Sequence, residues 1–139
     1  IKNSAKQISS CGGLSSTSSG IYWYSNSTAS TCSPSGNIGS STGPVILVVE
    51  DQNFDYTAND TFYGIVFSFS PNTSGKEVKF AGTGSIRGAV ITDNPLAAGQ
   101  VINGTFKLVY DQNAMGTLST NQNYMGLAKL PGSWTDFLD

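Results

Sequence analysis

The sequence contains no histidine. That absence removes Ser-His-Asp and Cys-His nucleophiles and every imidazole metal ligand. Charge is scarce too: 12 % of residues are Asp, Glu, Lys or Arg, against a usual ~25 %. With a net charge of −2 and no basic run, the chain has no electrostatic footprint for nucleic acid or for an anionic membrane surface. No stretch approaches ~18 consecutive apolar residues, so no segment reads as a membrane-spanning helix. The two cysteines, Cys11 and Cys32, are too few to close a zinc site unaided. They sit in a polar Ser/Gly-rich segment, the usual setting of a disulfide in an oxidising compartment. The loop it closes is worth roughly 3 kcal/mol in the chain-entropy view. The opening residues IKNSAKQISS lack the pattern of a secretory signal. An exoplasmic domain whose targeting segment lies outside this sequence is therefore expected.

Ser, Thr, Asn and Gly fill the space that charge leaves. The 139 residues suit a single domain over 1–139. Its texture changes near Pro44. From Ser9 to Pro44, 25 of 36 residues are Ser, Thr, Gly or Asn, too little apolar area to order itself. One island interrupts this region, Ile21-Tyr22-Trp23-Tyr24, and it reads as a strand. The 1–44 region is thus expected to be irregular but ordered, tied by the disulfide. Residues 45–139 hold β repeats and a C-terminal cap.

The run PVILVVED (44–51) is apolar without alternation, as in a strand covered on both faces. Three later segments align with one another: TFYGIV from Thr61, SIRGAV from Ser85 and TFKLVY from Thr105. Each follows a small polar turn, and each turn follows another short strand: FDYT (54–57), EVKFA (77–81) and QVI (100–102). The starts 61, 85 and 105 are 24 and 20 residues apart. Two short strands and a turn per unit point to stacked coils, a small parallel β-helix or solenoid. The Asn-Gly pair at 103–104 is a hairpin turn signal, so an antiparallel β-sandwich stays open as the alternative. Gly64 and Gly88 share a repeat position and suggest close backbone approach in a stacked column.

Helical signal is thin. One short helical turn is expected around 113–119, despite Gly116. Ile1, Ala5 and Ile8 fit one helical face, as the stump of a longer helix would. The ending LPGSWTDFLD (130–139) is rich in large apolar residues. An open stack leaves its last apolar face and strand edge uncovered, so Trp134 and Phe137 are expected to cap it.

The densest acidic cluster is Glu50-Asp51-Gln52-Asn53-Phe54-Asp55. Its oxygens suit calcium, the one cofactor these residues bring to mind. DQN recurs at 111–113, again after an apolar strand, and the recurrence favours turn chemistry. Paired carboxylates for glycoside hydrolysis need a cleft. Arg87, the lone arginine, is expected to point outward from its strand. Tyr22, Trp23 and Tyr24 form a candidate partner or ligand surface, because exposed rings stack on sugars. Equally, Trp23 can fill the core beneath the disulfide loop. Asn26, Asn59, Asn72 and Asn103 each begin an N-x-S/T sequon, which matters only where the glycosylation machinery exists.

Several blocks occur in an informative order. GNIGSSTGPVILVVE (36–50) resembles the Gly-Ser…Pro-Val strand block of PilX-type minor pilins of type IV pilus systems. TFYGIVF (61–67) and GSIRGAVITD (84–93) resemble their repeated strand units. GTFKLVYDQNAMGTL (104–118) and LAKLPGSWTDF (127–137) are similar to their closing segments, and together the blocks cover roughly residues 36–137. Thr135 stands where that family usually has Arg, and the family's apolar N-terminal helix is missing, which leaves IKNSAKQIS as its stump. The resemblance implies a non-enzymatic subunit at or near a pilus tip. It also implies other minor pilins and the fibre as partners. The missing helix would anchor it at the periplasmic face of the inner membrane before assembly places it on the cell surface. The alternatives are a secreted carbohydrate-binding adhesin, with a surface glycan as partner, and a polysaccharide-active enzyme. Trp134→Ala is expected to cost about 3–5 kcal/mol in denaturant unfolding if the indole caps a core; no loss would mean that it does not.

Overall fold

The computed structural model describes residues 4–25, 31–57, 59–96 and 106–120. Among these residues nine strands and one α-helix, besides a single 3₁₀ turn (Cys11–Gly13), follow in chain order: β1 (Lys6–Ile8), β2 (Gly20–Tyr24), β3 (Thr31–Cys32), β4 (Val45–Glu50), β5 (Asn53–Thr57), β6 (Thr61–Phe69), β7 (Val78–Ala81), β8 (Ser85–Thr92), β9 (Lys107–Val109) and α1 (Gln112–Thr120). They make two sheets, one in the order β1-β2-β4-β6-β8-β9 and one in the order β3-β5-β7. Every pairing among the described strands is parallel. The chain is therefore a β-solenoid-like stack, and each full coil gives one strand to each sheet. The antiparallel sandwich is excluded, because hairpins pair neighbours antiparallel.

The aligned repeats are neighbouring coils. Thr61 pairs with Ser85 and Gly64 with Gly88, as their shared repeat position requires. The third repeat is displaced: Ser85 pairs with Lys107 rather than Thr105. The two-residue slip keeps the same face inward, since side chains alternate with period two. It also stacks Leu108 on Ile86, which the alignment by hydroxyl residues missed. At the front, residues 6–8 are strand β1 beside β2, not the helical stump that Ile1, Ala5 and Ile8 suggest. Pairing with an existing strand edge supplies backbone partners that three residues of isolated helix lack. QVI (100–102) and the capping segment 130–139 lie outside the described residues.

The larger sheet is apolar on both faces. One face joins the smaller sheet in a core that includes Tyr24, Leu47, Phe62 and Ile86 from one side and Cys32, Phe54, Tyr56 and Phe80 from the other. Phe80 and Phe106 tilt against each other at 5.2 Å, and Tyr56 meets both Phe62 and Phe106 edge-on at 6.1 Å. The opposite face carries Ile21, Trp23, Ile46, Val48 and Ile65, with Met115 and Leu118 of α1 packed against it. This is why β4 reads as an unbroken apolar run: Val45 to Val49 are all buried. The helix begins where Asp111 caps it, Oδ1 accepting from the Asn113 and Ala114 N–H groups at 3.0 Å each. Thr117 Oγ1 shares its proton between two carbonyls, that of Asn113 in the helix at 2.9 Å and that of Ser41 at 3.3 Å. The second contact ties α1 to the 39–44 loop.

Cys11 and Cys32 are joined, with Cα atoms 5.4 Å apart, and both are buried in the inter-sheet core. The bond closes the Ser/Thr/Gly-rich region around β2, where local burial is too small to hold the chain.

Gly64 and Gly88 mark a corner in β6 and β8. Their φ angles are +137° and +155°. A Cβ on Gly64 would lie 1.8 Å from the Val45 carbonyl oxygen, and one on Gly88 would lie 1.8 Å from the Gly64 oxygen. Both obstacles are backbone, so a side chain forces adjacent coils apart. Gly64→Ala and Gly88→Ala should each destabilise by about 3 kcal/mol or more, measured by urea unfolding. A loss below about 1 kcal/mol, no more than the ordinary scale of glycine's backbone effects, would contradict the close approach.

Candidate functional site

Strand alternation separates the three rings of the sequence-derived ligand surface. Tyr24 is 1 % exposed in the inter-sheet core, and its hydroxyl donates to the Thr31 carbonyl at 3.4 Å; burial pushes its phenol up from the ordinary value. Trp23 points to the other face at 7 % exposure. Its Nε1 donates to Glu50 Oε1 at 3.1 Å, and its ring meets Phe69 edge-on at 5.9 Å. Tyr22 is half-buried under the Lys6 ammonium, 5.9 Å from the ring centroid. The three rings do not make one platform; Trp23 is buried, as the core reading of it expects, but on the face opposite the disulfide rather than beneath it. Arg87 is exposed on β8.

The polar residues of the turns act between coils. Asn37 Oδ1 accepts from the Thr61 N–H, Asn59 Oδ1 from the Thr83 N–H, and Asn53 Oδ1 from the Glu77 N–H, each between residues 24 apart. A turn thus uses a side-chain oxygen to satisfy a backbone donor of the next coil, where the strand ladder has stopped. Asp51 does most. It holds a left-handed φ of 58°. Its Oδ1 accepts from the Asn72 N–H at 3.0 Å and from Thr73 Oγ1 at 3.2 Å, and its Oδ2 accepts from Asn72 Nδ2 at 3.1 Å. These bonds, that to the Asn72 backbone first, hold its carboxyl below the ordinary value. Both DQN copies are therefore turn chemistry: Asp51 clips a loop of the next coil, and Asp111 caps a helix. Among the described residues no three His, Cys, Asp or Glu side chains converge to hold a metal ion.

The loop that Asp51 clips is the main irregularity on this side of the stack. Glu50 pairs with Phe69 and Phe54 with Val78, so four steps of chain in one coil lie beside nine in the next. Ser68 pairs with Thr92 and Val78 bridges Leu96, so ten steps then lie beside four. The excess in Ser70–Lys76 must bulge outward. It is pinned from above and below, by Asp51 on Asn72 and by Asp93 Oδ1 accepting from the Ser70 N–H at 3.2 Å. Under it lies a depression of about 280 Å³ lined by Ser70, Thr73, Lys76, Glu77, Asp93 and Asn94, among others. A second, of about 160 Å³, lies on the outer side of the smaller sheet between Thr31, Asn53, Asp55, Glu77 and Lys79. Glu77 lines both. Sequence reasoning did not find this region. The signal was there in length alone: SPNTSGKE is longer than the turns before and after it.

Asp51 has the lower pKa in the folded state, so its stabilising effect is present above the unfolded value of about 3.9 and is lost as pH falls through the folded value. In proton–nitrogen correlation spectra the Asn72 amide should titrate with a midpoint below that of a free aspartate. A midpoint at or above it, or no response, would contradict the clip.

Neither a protein family, nor a curated protein, nor a solved structure matches this chain.

Proposed function

We propose that this chain is the outward-facing β domain of a minor-pilin-like subunit, a non-enzymatic component of a bacterial type IV pilus at or near its tip. The observation that carries the reading is where the resembling blocks fall. GNIGSSTGPVILVVE supplies β4, TFYGIVF supplies β6 and GSIRGAVITD supplies β8, three successive strands of the larger sheet. GTFKLVYDQNAMGTL supplies β9 and the covering helix α1. The resemblance thus lies in the scaffold itself, which suits a subunit whose work is to hold shape. Several acidic groups have structural employment: Asp51, Asp93 and Asp111 hold turns or a helix end, and Glu50 binds the Trp23 indole.

In this reading the partners are other minor pilins and the fibre. An apolar helix ahead of the domain anchors it at the periplasmic face of the inner membrane before assembly, and the finished fibre carries it on the cell surface. The adhesin reading rested on three exposed rings, and no observation of Tyr22, Trp23 and Tyr24 now favours it.

Deleting the gene in its own bacterium should sharply lower the yield of sheared surface pili, and restoring it should recover them. An epitope-tagged copy should appear in the sheared fraction. Undiminished piliation without the gene, with no tagged protein in that fraction, would overturn the proposal.

A further inference from the structure

The two depressions beside Glu77 form one polar track across the coils. It runs from Thr31 on β3, over Asn53 and Asp55 on β5, to Glu77 and Lys79 at β7, and on to Asp93 and Asn94 below the bulged loop. Four neighbouring coils contribute, and with strands ~4.8 Å apart the track is about 14 Å long. The lining is mixed, with polar surface only somewhat the larger part. Three carboxylates face two ammonium groups, and Lys76, Lys79 and Glu77 make no ion pair among the described residues.

We infer that this track is a binding site for a short neutral oligosaccharide. The ligand class follows from what the surface offers. The track lies across β3, β5 and β7, whose ladder hydrogen bonds join them to one another. An extended peptide, which is recognised chiefly through its main chain at a free sheet edge, finds little purchase there. A saccharide presents hydroxyls that both donate and accept, matching carboxylate, ammonium, amide and hydroxyl groups in turn. Three carboxylates against two ammonium groups disfavour an acidic sugar. The loop that makes the larger depression is held at both ends, by Asp51 and by Asp93, so the site exists before the ligand arrives. The inference does not depend on the pilus reading, since it concerns the isolated chain and a soluble ligand.

The test is a titration of the isotope-labelled chain with neutral tetrasaccharides of glucose, mannose, galactose and N-acetylglucosamine at millimolar concentration. At least one should shift amides of both depressions, within 70–77, 93–94 and 53–55. Glu77 is exposed and lines both halves, so Glu77→Ala should weaken that binding about ten- to a hundredfold without lowering the thermal midpoint. Asp55→Asn serves as a second, milder variant, and Arg87→Ala, on the other sheet, should bind as the parent does. No shift with any of the four sugars would overturn the inference. So would shifts only with a hyaluronan tetrasaccharide or an extended peptide, or undiminished binding by Glu77→Ala.

Discussion

At Gly64 and Gly88 the backbones of successive coils come so close that only hydrogen fits between them. That constraint sets the register of the larger sheet. With Gly64 against Val45 and Gly88 against Gly64, every residue along β4, β6 and β8 has its partner fixed. A one-residue slip would bring a side chain into the corner and turn each apolar set to the wrong face. Because the register holds, Phe62 stacks beside Ile86 in the inter-sheet core, and Ile65 and Phe67 face α1 instead. The disulfide performs a related task where no glycine corner exists, holding the sparse coil around β2 against the same core.

Between the strands, side chains join the turns of neighbouring coils alongside single backbone bonds, such as those from the Asp51 N–H to the Phe69 carbonyl and from the Ser85 N–H to the Asp60 carbonyl. Asn37, Asn53 and Asn59 each reach one coil forward to a backbone N–H. This explains a composition rich in Asn, Ser and Thr and poor in charge: short neutral side chains can stack at the spacing of strands, whereas like charges repeated at that spacing repel. It also explains where the surface is irregular. A coil with five more residues in one turn than the coil before it, and six more than the coil after it, cannot stack that turn flush. The excess arches outward, clipped by Asp51 and Asp93, and leaves the polar depression beside Glu77.

Much of the stack was legible in the sequence because the repeat is written in residue type. The hydroxyl residue at Thr61 and Ser85, the glycine at 64 and 88, and the unalternating run of β4 each state a position in the coil. The disulfide and the turn role of both DQN copies were legible for the same reason. Four features were not. Lys6–Ile8 carries too few residues to distinguish a strand from a helix, and only the edge of β2 decides it. The slip at β9 preserves inward-facing parity, so hydrophobic pattern alone is blind to it. The aromatic run of β2 left a surface and a core reading open, and only alternation decides, sending Trp23 to one face and Tyr24 to the other. The polar track was hidden because none of its residues is unusual; their meeting depends on how the surplus residues of one turn fold back over the coils.

The parallel, in-register stack is the claim on which the rest depends, and backbone proton–proton contacts measure it directly. Nuclear Overhauser spectra should connect Val45 with Gly64 and Gly64 with Gly88 in one ladder, and Phe54 with Val78 in the other. Contacts running in opposite senses across the 58–60 turn, pairing β5 with β6 as a hairpin, would contradict it.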